Sequence, residues 1–228
     1  MSKTHSLEKA RVVIVEDHPM FRERLAQLIN KQPGMVVSGE ADNIRDGFKL
    51  VANGGATVGI IDITLKGSSG LELIKNLKSA GVDIPLLVLS MHDEALYAER
   101  ALRAGARGYI TKQAASSKIM TALRQVLAGN IYLGQQMTTK ILSNLAGHRQ
   151  KQMTGVERLT DRELEVFELI GRCRTTRQIS TELNLGAATV ETYRARIKEK
   201  MKLDNAAQLR SEAVLWMHRS QQGATTSK

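Results

Sequence analysis

Residues 11–128 alternate between two hydrophobic rhythms. Short aliphatic or β-branched runs stand at RVVIVE (11–16), MVVSGEA (35–41), TVGIID (57–62), IPLLVLS (84–90) and ARGYIT (106–111). Near-continuous apolar runs of this length read as strands buried on both faces. Between them, apolar positions recur at helical spacing. MFRERLAQLI places Phe21, Leu25, Leu28 and Ile29 on one face, and GLELIKNLK places Leu71, Ile74 and Leu77 on one face. Strands alternating with helices build βαβ units on a parallel sheet. Five of each predict an α/β, flavodoxin-like, doubly wound (βα)5 domain over residues 10–128, with strand order 2-1-3-4-5.

The rhythm lapses after residue 128. GNIYLGQQMTTKILSNLAGHRQKQM is polar, holds no acid, and accommodates one short helix around 136–146. Residues 129–156 read as a linker. Residues 157–218 carry helical spacing only, which predicts an all-α four-helix domain. Its opening, LTDRELEVFELIG, has Thr160 as N-cap and Glu163 three residues on, a capping box. Further helices are expected around 175–184, 187–201 and 205–218. The turn ELNLGAAT between the middle two fits a helix-turn-helix unit. The tail, 219–228, is expected to be disordered.

Composition narrows the class. The 228 residues suffice for two small domains, and 42% hydrophobic with 25% charged residues is an ordinary globular balance. No apolar run approaches the roughly 20 residues that a membrane helix needs, so no membrane partner is expected. The N-terminus, MSKTHSLEKARVVIV, lacks a signal-peptide cleavage region. A single cysteine, Cys173, excludes an internal disulfide framework and reads as a packing residue. These features point to the cytoplasm. The net charge of +10 points to a polyanionic partner. The excess is spread along the chain, so position has to carry the argument rather than total charge.

Candidate chemistry gathers at strand ends. Glu16 and Asp17 close the first run and Asp62 closes the third. In the order 2-1-3-4-5 those strands are neighbours, and ligands of open α/β sheets sit at carboxyl ends. Three carboxylates in one pocket repel, and a cation resolves this. Oxygen-only ligands suit Mg²⁺, which often bridges to phosphate. Ser90 ends the fourth run and Lys112 follows the fifth. A hydroxyl and an ammonium at the same rim can each hold a phosphoryl oxygen, with Asp62 as nucleophile. His18 precedes Pro19 at a helix start and reads as a cap neighbour. Neither it nor His92 reads as a metal ligand.

This ordered set resembles a response-regulator receiver domain over about residues 11–128. The resemblance makes Glu16 and Asp17 metal-binding acids and Asp62 the phosphoacceptor. It gives the backbone carbonyl of Thr64 to the metal, and Ser90 and Lys112 to the phosphate. It makes Tyr109 the aromatic that changes rotamer on phosphorylation. One position departs from the pattern. Receivers usually carry proline four residues after the phosphoacceptor, where this chain has Lys66. Proline would stiffen that loop. Lysine frees it and adds a cation near the acids.

Residues 157–218 are similar to the helix-turn-helix domain of the LuxR/NarL/FixJ class. The similarity rests on Leu159-Thr160-x-Arg162-Glu163, Ile179, Leu183, Thr189-Val190 and Ile197-x-x-Lys200. Within 187–201, Val190, Tyr193, Ile197 and Met201 form a buried stripe, and a helix exposed on its other side can lie in the major groove. The similarity assigns Glu191, Thr192 and Ala195 to base edges. Thr189, Arg194, Arg196 and Lys198 go to phosphates or flanking bases, and Thr176 and Arg177 to backbone phosphate. The family often has lysine where Glu191 stands. A carboxylate there accepts from a cytosine amino group. The apolar positions of the last helix fit either core packing or a dimer contact.

The expectation is a two-domain, DNA-binding response regulator. A sensor histidine kinase phosphorylates Asp62 with Mg²⁺ present. That promotes homodimer formation and binding to double-stranded promoter DNA, with RNA polymerase as a further partner. Beyond transfer to its own aspartate it is not an enzyme. The alternative is a phosphorylation-independent transcription factor with an atypical receiver, to which Lys66 lends support. A phosphohydrolase with an Asp nucleophile typically has a second acid where Thr64 stands, and no P-loop is present. An RNA-binding antiterminator would need a different helical bundle.

Overall fold

The computed structural model describes residues 9–65, 68–91, 94–145 and 155–225. The chain divides into two compact units, with the boundary between Leu142 and Ser143.

The first unit opens β1 (Ala10–Val15), α1 (Pro19–Asn30), β2 (Met35–Ala41), α2 (Ile44–Ala52), β3 (Val58–Asp62). A two-residue hairpin follows, β4 (Thr64–Leu65) against β5 (Ser68–Ser69), and then α3 (Gly70–Ser79). The unit continues β6 (Leu86–Ser90), α4 (Glu94–Ala104), β7 (Gly108–Thr111) and α5 (Ser116–Leu127). The five long strands pair in parallel in the order β2-β1-β3-β6-β7, the predicted winding. Alternate strand residues Val12, Ile14, Ile60, Leu87 and Leu89 face one layer, packing with Leu25 and Ile29 of α1 and Leu123 and Val126 of α5. Their neighbours point to the other face, as the pleat requires. There α2 lies so close that a Cβ at Gly47 would strike Val15.

Register sets the site. Val15 is level with Ile61, Asp62 with Leu89, and Ser90 with Thr111. The residues just past these pairs therefore emerge along one rim. Glu16 leaves β1 by one residue, and its N–H still bonds Ala41 O at 2.9 Å.

The sequence assigns 129–156 to a linker, yet its start is built into the first unit. Tyr132 bridges Gly108 in parallel. Tyr109 N–H donates to Tyr132 O at 3.0 Å, and Tyr132 N–H to Arg107 O at 3.0 Å. This segment leads into α6 (Gln135–Leu145), and Met137 on α6 is buried. A carboxylate oxygen of Glu94, in the first turn of α4, accepts from Gly134 N–H just before α6 begins.

The second unit starts with a 3₁₀ turn (Gly155–Arg158), then α7 (Asp161–Gly171), α8 (Thr176–Glu182), α9 (Ala187–Met201) and α10 (Ala206–Thr225). Both expected middle helices and the Thr160–Glu163 capping box are present. A second box, Thr175 with Gln178, starts α8. Phe167, Ile179, Val190, Ile197, Leu209 and Ala213 are buried, and the Phe167 ring packs tilted against Trp216, 5.4 Å between centroids. Two expectations differ. The last helix continues to Thr225, past residue 218, so 219–225 are helical rather than a disordered tail. Cys173 is exposed, at φ 59°, in the left-handed turn after α7. It ends a helix rather than filling a core.

Candidate functional site

The carboxylates predicted to meet do meet. Glu16, Asp17 and Asp62 are all buried at the carboxyl ends of β1 and β3. Lys112 follows β7, and its N–H bonds Ser90 O at 2.8 Å. That bond aims the side chain back across the sheet ends. Its Nζ lies 2.6 Å from Glu16 Oε2 and 2.9 Å from Asp62 Oδ2, and 5.0 Å from the centre of the Phe21 ring. Ser90 is fully buried at the end of β6. Thr64 is half-buried, and its backbone N–H bonds the Asp62 carboxylate. Tyr109 is fully buried in β7, two residues before the Ser90–Thr111 pair. Lys66 and His92 lie outside the described residues.

The electrostatics follow from burial. Desolvation, then the charge of Glu16, pushes the Asp62 carboxyl up to about 7, against the pull of Lys112 and the Thr64 N–H. Burial acts to lower the Lys112 ammonium, but the two carboxylates outweigh it and raise it. One lysine among three buried acids leaves a negative excess.

Two buried oxygens, Asp62 Oδ1 and Asp17 Oδ1, have no hydrogen-bond partner. An orphaned buried carboxylate oxygen is costly, and a cation satisfies it. One ligand atom from each of Glu16, Asp17, His18 and Asp62 lies within 4.8 Å of the others. The three carboxylates of that set fit a hard divalent ion.

Several contributors carry no sequence signal of their own. Arg22 donates from Nη1 to Glu16 O at 2.6 Å and pairs with Glu40 at 3.4 Å, fixing the turn that presents the acids. Phe21 lies under the Lys112 ammonium. Gly70 starts α3 against the backbone of Asp62, where an added Cβ would fall 1.8 Å from Asp62 O. Only the assembled sheet makes these proximities visible.

The second unit presents the other predicted surface. Arg177, Thr189, Glu191, Thr192, Ala195 and Arg196 are exposed, while Thr176, Arg194 and Lys198 are half-buried. Val190 and Ile197 anchor α9 from beneath, with Tyr193 and Met201 half-buried beside them. Glu191 is held at one end of this face. Thr176 Oγ1 donates to Glu191 Oε1 at 2.7 Å, and Arg194 Nη1 reaches Thr176 Oγ1 at 3.4 Å. The start of α8 and the first turns of α9 thus form one polar surface.

Known proteins share both halves. Residues 12–124 match the response regulator receiver domain, and 157–213 match the luxR family of bacterial regulatory proteins. The chain is 31% identical over 204 residues to the response regulator GacA of Pseudomonas aeruginosa, covering 90% of this chain and 95% of that protein. It is 29% identical to the nitrate/nitrite response regulator NarL of Escherichia coli K12, covering 92% and 96%. Among solved structures, a LuxR-family two-component response regulator from Aurantimonas matches with a TM-score of 0.56 at 28% identity, over 61% of this chain and 99% of that one. RcsB from Salmonella enterica, bound to the promoter rprA with a phosphomimetic, shares the fold at 22% identity and a TM-score of 0.58, covering 90% and 98%. The chain belongs to the NarL/FixJ family of DNA-binding two-component response regulators, with a receiver domain followed by a LuxR-type helix-turn-helix domain.

Proposed function

We infer that the chain is a transcription regulator switched by phosphorylation of Asp62. The observation that carries this is the buried Asp62 carboxylate, with one oxygen held by Lys112 and the other without a hydrogen-bond partner. Glu16, Asp17, Asp62 and the Thr64 backbone would hold Mg²⁺, which offsets the negative charge of the acids and of the incoming phosphoryl group. The partnerless Asp62 Oδ1 is the nucleophile. It forms the O–P bond as the P–N bond to a sensor kinase's phosphohistidine breaks. Lys112 holds Asp62 Oδ2 and stands within reach of a phosphoryl oxygen, and the Ser90 hydroxyl serves another. Transfer to its own aspartate is the only chemistry this reading gives the chain.

The signal then passes toward the Ser90–Tyr109 side of the sheet, changing the surface of 91–112. Homodimers form, and two α9 helices read half-sites about one helical turn apart in promoter DNA. The regulator acts in the cytoplasm, with RNA polymerase as the downstream partner. The test is a DNA-binding titration with and without acetyl phosphate and Mg²⁺, on wild type and Asp62→Asn, using fragments enriched by in vitro selection. Phosphodonor should tighten wild-type binding only. Equal binding by both proteins, with no phosphate incorporated, would overturn this reading in favour of a receiver that works without phosphorylation.

A further inference from the structure

The sequence sets His18 aside as the neighbour of a helix cap, but its ring does other work. His18 is the N-cap of α1, yet its side chain makes no cap hydrogen bond. The imidazole turns to the acids instead. Its Nδ1 lies 3.1 Å from Glu16 Oε1 and 2.8 Å from Asp17 Oδ1.

The carboxylate oxygens are divided between two poles. Glu16 Oε2 and Asp62 Oδ2 face Lys112. Glu16 Oε1 faces the His18 ring and backbone N–H. Asp17 Oδ1 and Asp62 Oδ1 are buried and without a hydrogen-bond partner. The 2.8 Å approach of Nδ1 to Asp17 Oδ1 lacks the alignment of a hydrogen bond. In an octahedral site with bonds of about 2.1 Å, adjacent ligand atoms sit about 3 Å apart. The two His18 distances match that edge. The carboxylates are fixed by the strand ends, while the ring is 68% exposed and reaches in from solvent. The nitrogen therefore stands where a ligand would, beside Asp17 Oδ1, a buried oxygen without a hydrogen-bond partner.

We propose that His18 is a nitrogen ligand of the receiver's cation site, so that the site favours first-row transition ions such as Mn²⁺ over Mg²⁺. This rests on the reading of Glu16, Asp17 and Asp62 as the metal-binding acids. Imidazole binds transition ions readily, whereas Mg²⁺ takes oxygen donors and keeps its waters. A nitrogen donor thus shifts the preference without changing the acids. A kinase partner working on this receiver would then be supported at lower Mn²⁺ than Mg²⁺ concentrations.

The experiment uses the full chain loaded with Mn²⁺, read by pulsed electron paramagnetic resonance and by calorimetric titration. Wild type should show the ¹⁴N coupling of a directly bound imidazole, and His18→Gln should lose it. Removing the ligand should raise the Mn²⁺ dissociation constant at least about tenfold and that of Mg²⁺ less than about twofold. Mn²⁺ bound in an Asp62→Asn-sensitive way, but without ¹⁴N coupling, would overturn the role of His18 and leave the acid site standing. The same coupling retained in His18→Gln would also overturn it. Mn²⁺ binding that Asp62→Asn does not weaken would sink both the proposal and the metal reading beneath it.

Discussion

At the scale of single residues, Asp62 and Gly70 show how tightly the site is drawn. Asp62 is buried, and its carboxyl is pushed up to about 7 from an ordinary value of 3.8, first by burial and then by Glu16. Between those two values the folded chain keeps a proton that the unfolded chain has released. Stability then falls as pH rises through the window, because the folded state binds more protons there. Metal-free protein should lose thermal stability from pH 5 to pH 8 by more in wild type than in Asp62→Asn, and Mg²⁺ should restore more at pH 8. A wild-type midpoint no more pH-sensitive than that of the variant would remove burial of a charged Asp62 as the cause. Gly70 poses a harder constraint. The atom an added Cβ would meet is the backbone oxygen of Asp62 itself, the proposed phosphoacceptor. Gly70→Ala must therefore move either α3 or the end of β3, and overpacking of that kind costs about 3 kcal/mol. Urea denaturation should show a lowered midpoint, with acetyl phosphate labelling impaired even where the chain is folded. A variant as stable as wild type would show that α3 can shift freely here.

At the scale of elements, the strands could be read and their attachments could not. The five apolar runs gave the parallel sheet because strands buried on both faces need no alternation, and the predicted ends fall within two residues of those observed. The acids at Glu16, Asp17 and Asp62 were readable for the same reason, since a charge closing a buried run needs a partner. The ring of His18, the brace of Arg22 and the docking of 129–134 had no local signature. Each depends on distances across the sheet. The linker shows the difference best. GNIYLGQQ is polar and Gly-rich, so its sequence reads as a spacer, yet Tyr132 takes a strand position beside β7 and Glu94 of α4 binds Gly134 N–H. Glu94 is the first residue of α4, so any shift of α4 pulls on the start of α6 through this bond. Glu94→Gln weakens a charge-assisted bond worth about 1.5 kcal/mol. Amide exchange in 132–138 should quicken about tenfold by that measure, with exchange in β1 and β3 unchanged. Equal exchange in variant and wild type would mean that Tyr132 alone holds the segment.

At the scale of the whole molecule, the chain passes from one compact unit to the other within α6, and each unit carries its own candidate site. The first holds every acid of the cluster together with Lys112, Ser90 and Tyr109. The second holds the polar face of α8 and α9 over its own core. Units with their own cores can fold alone. A fragment of residues 1–145 should accept phosphate from acetyl phosphate with Mg²⁺ at a rate within about twofold of the whole chain, since every residue of the acid cluster and Lys112 lies before α6. The fragment 155–228 is the more telling half. Its recognition face is exposed within its own unit, so it should bind the selected DNA and ignore phosphodonor. What it lacks is the receiver, which in the proposed function pairs two copies. Pairing makes the second half-site an intramolecular event and can raise affinity a hundredfold or more without new contacts. Fluorescence anisotropy should therefore place the fragment at least about tenfold weaker than the phosphorylated whole chain. If instead the fragment binds as tightly as the phosphorylated chain, pairing contributes little. The receiver would then act by covering the α9 face until Asp62 is phosphorylated. The same titration on unphosphorylated whole chain divides the two routes: covering makes it weaker than the fragment, and pairing makes it equal.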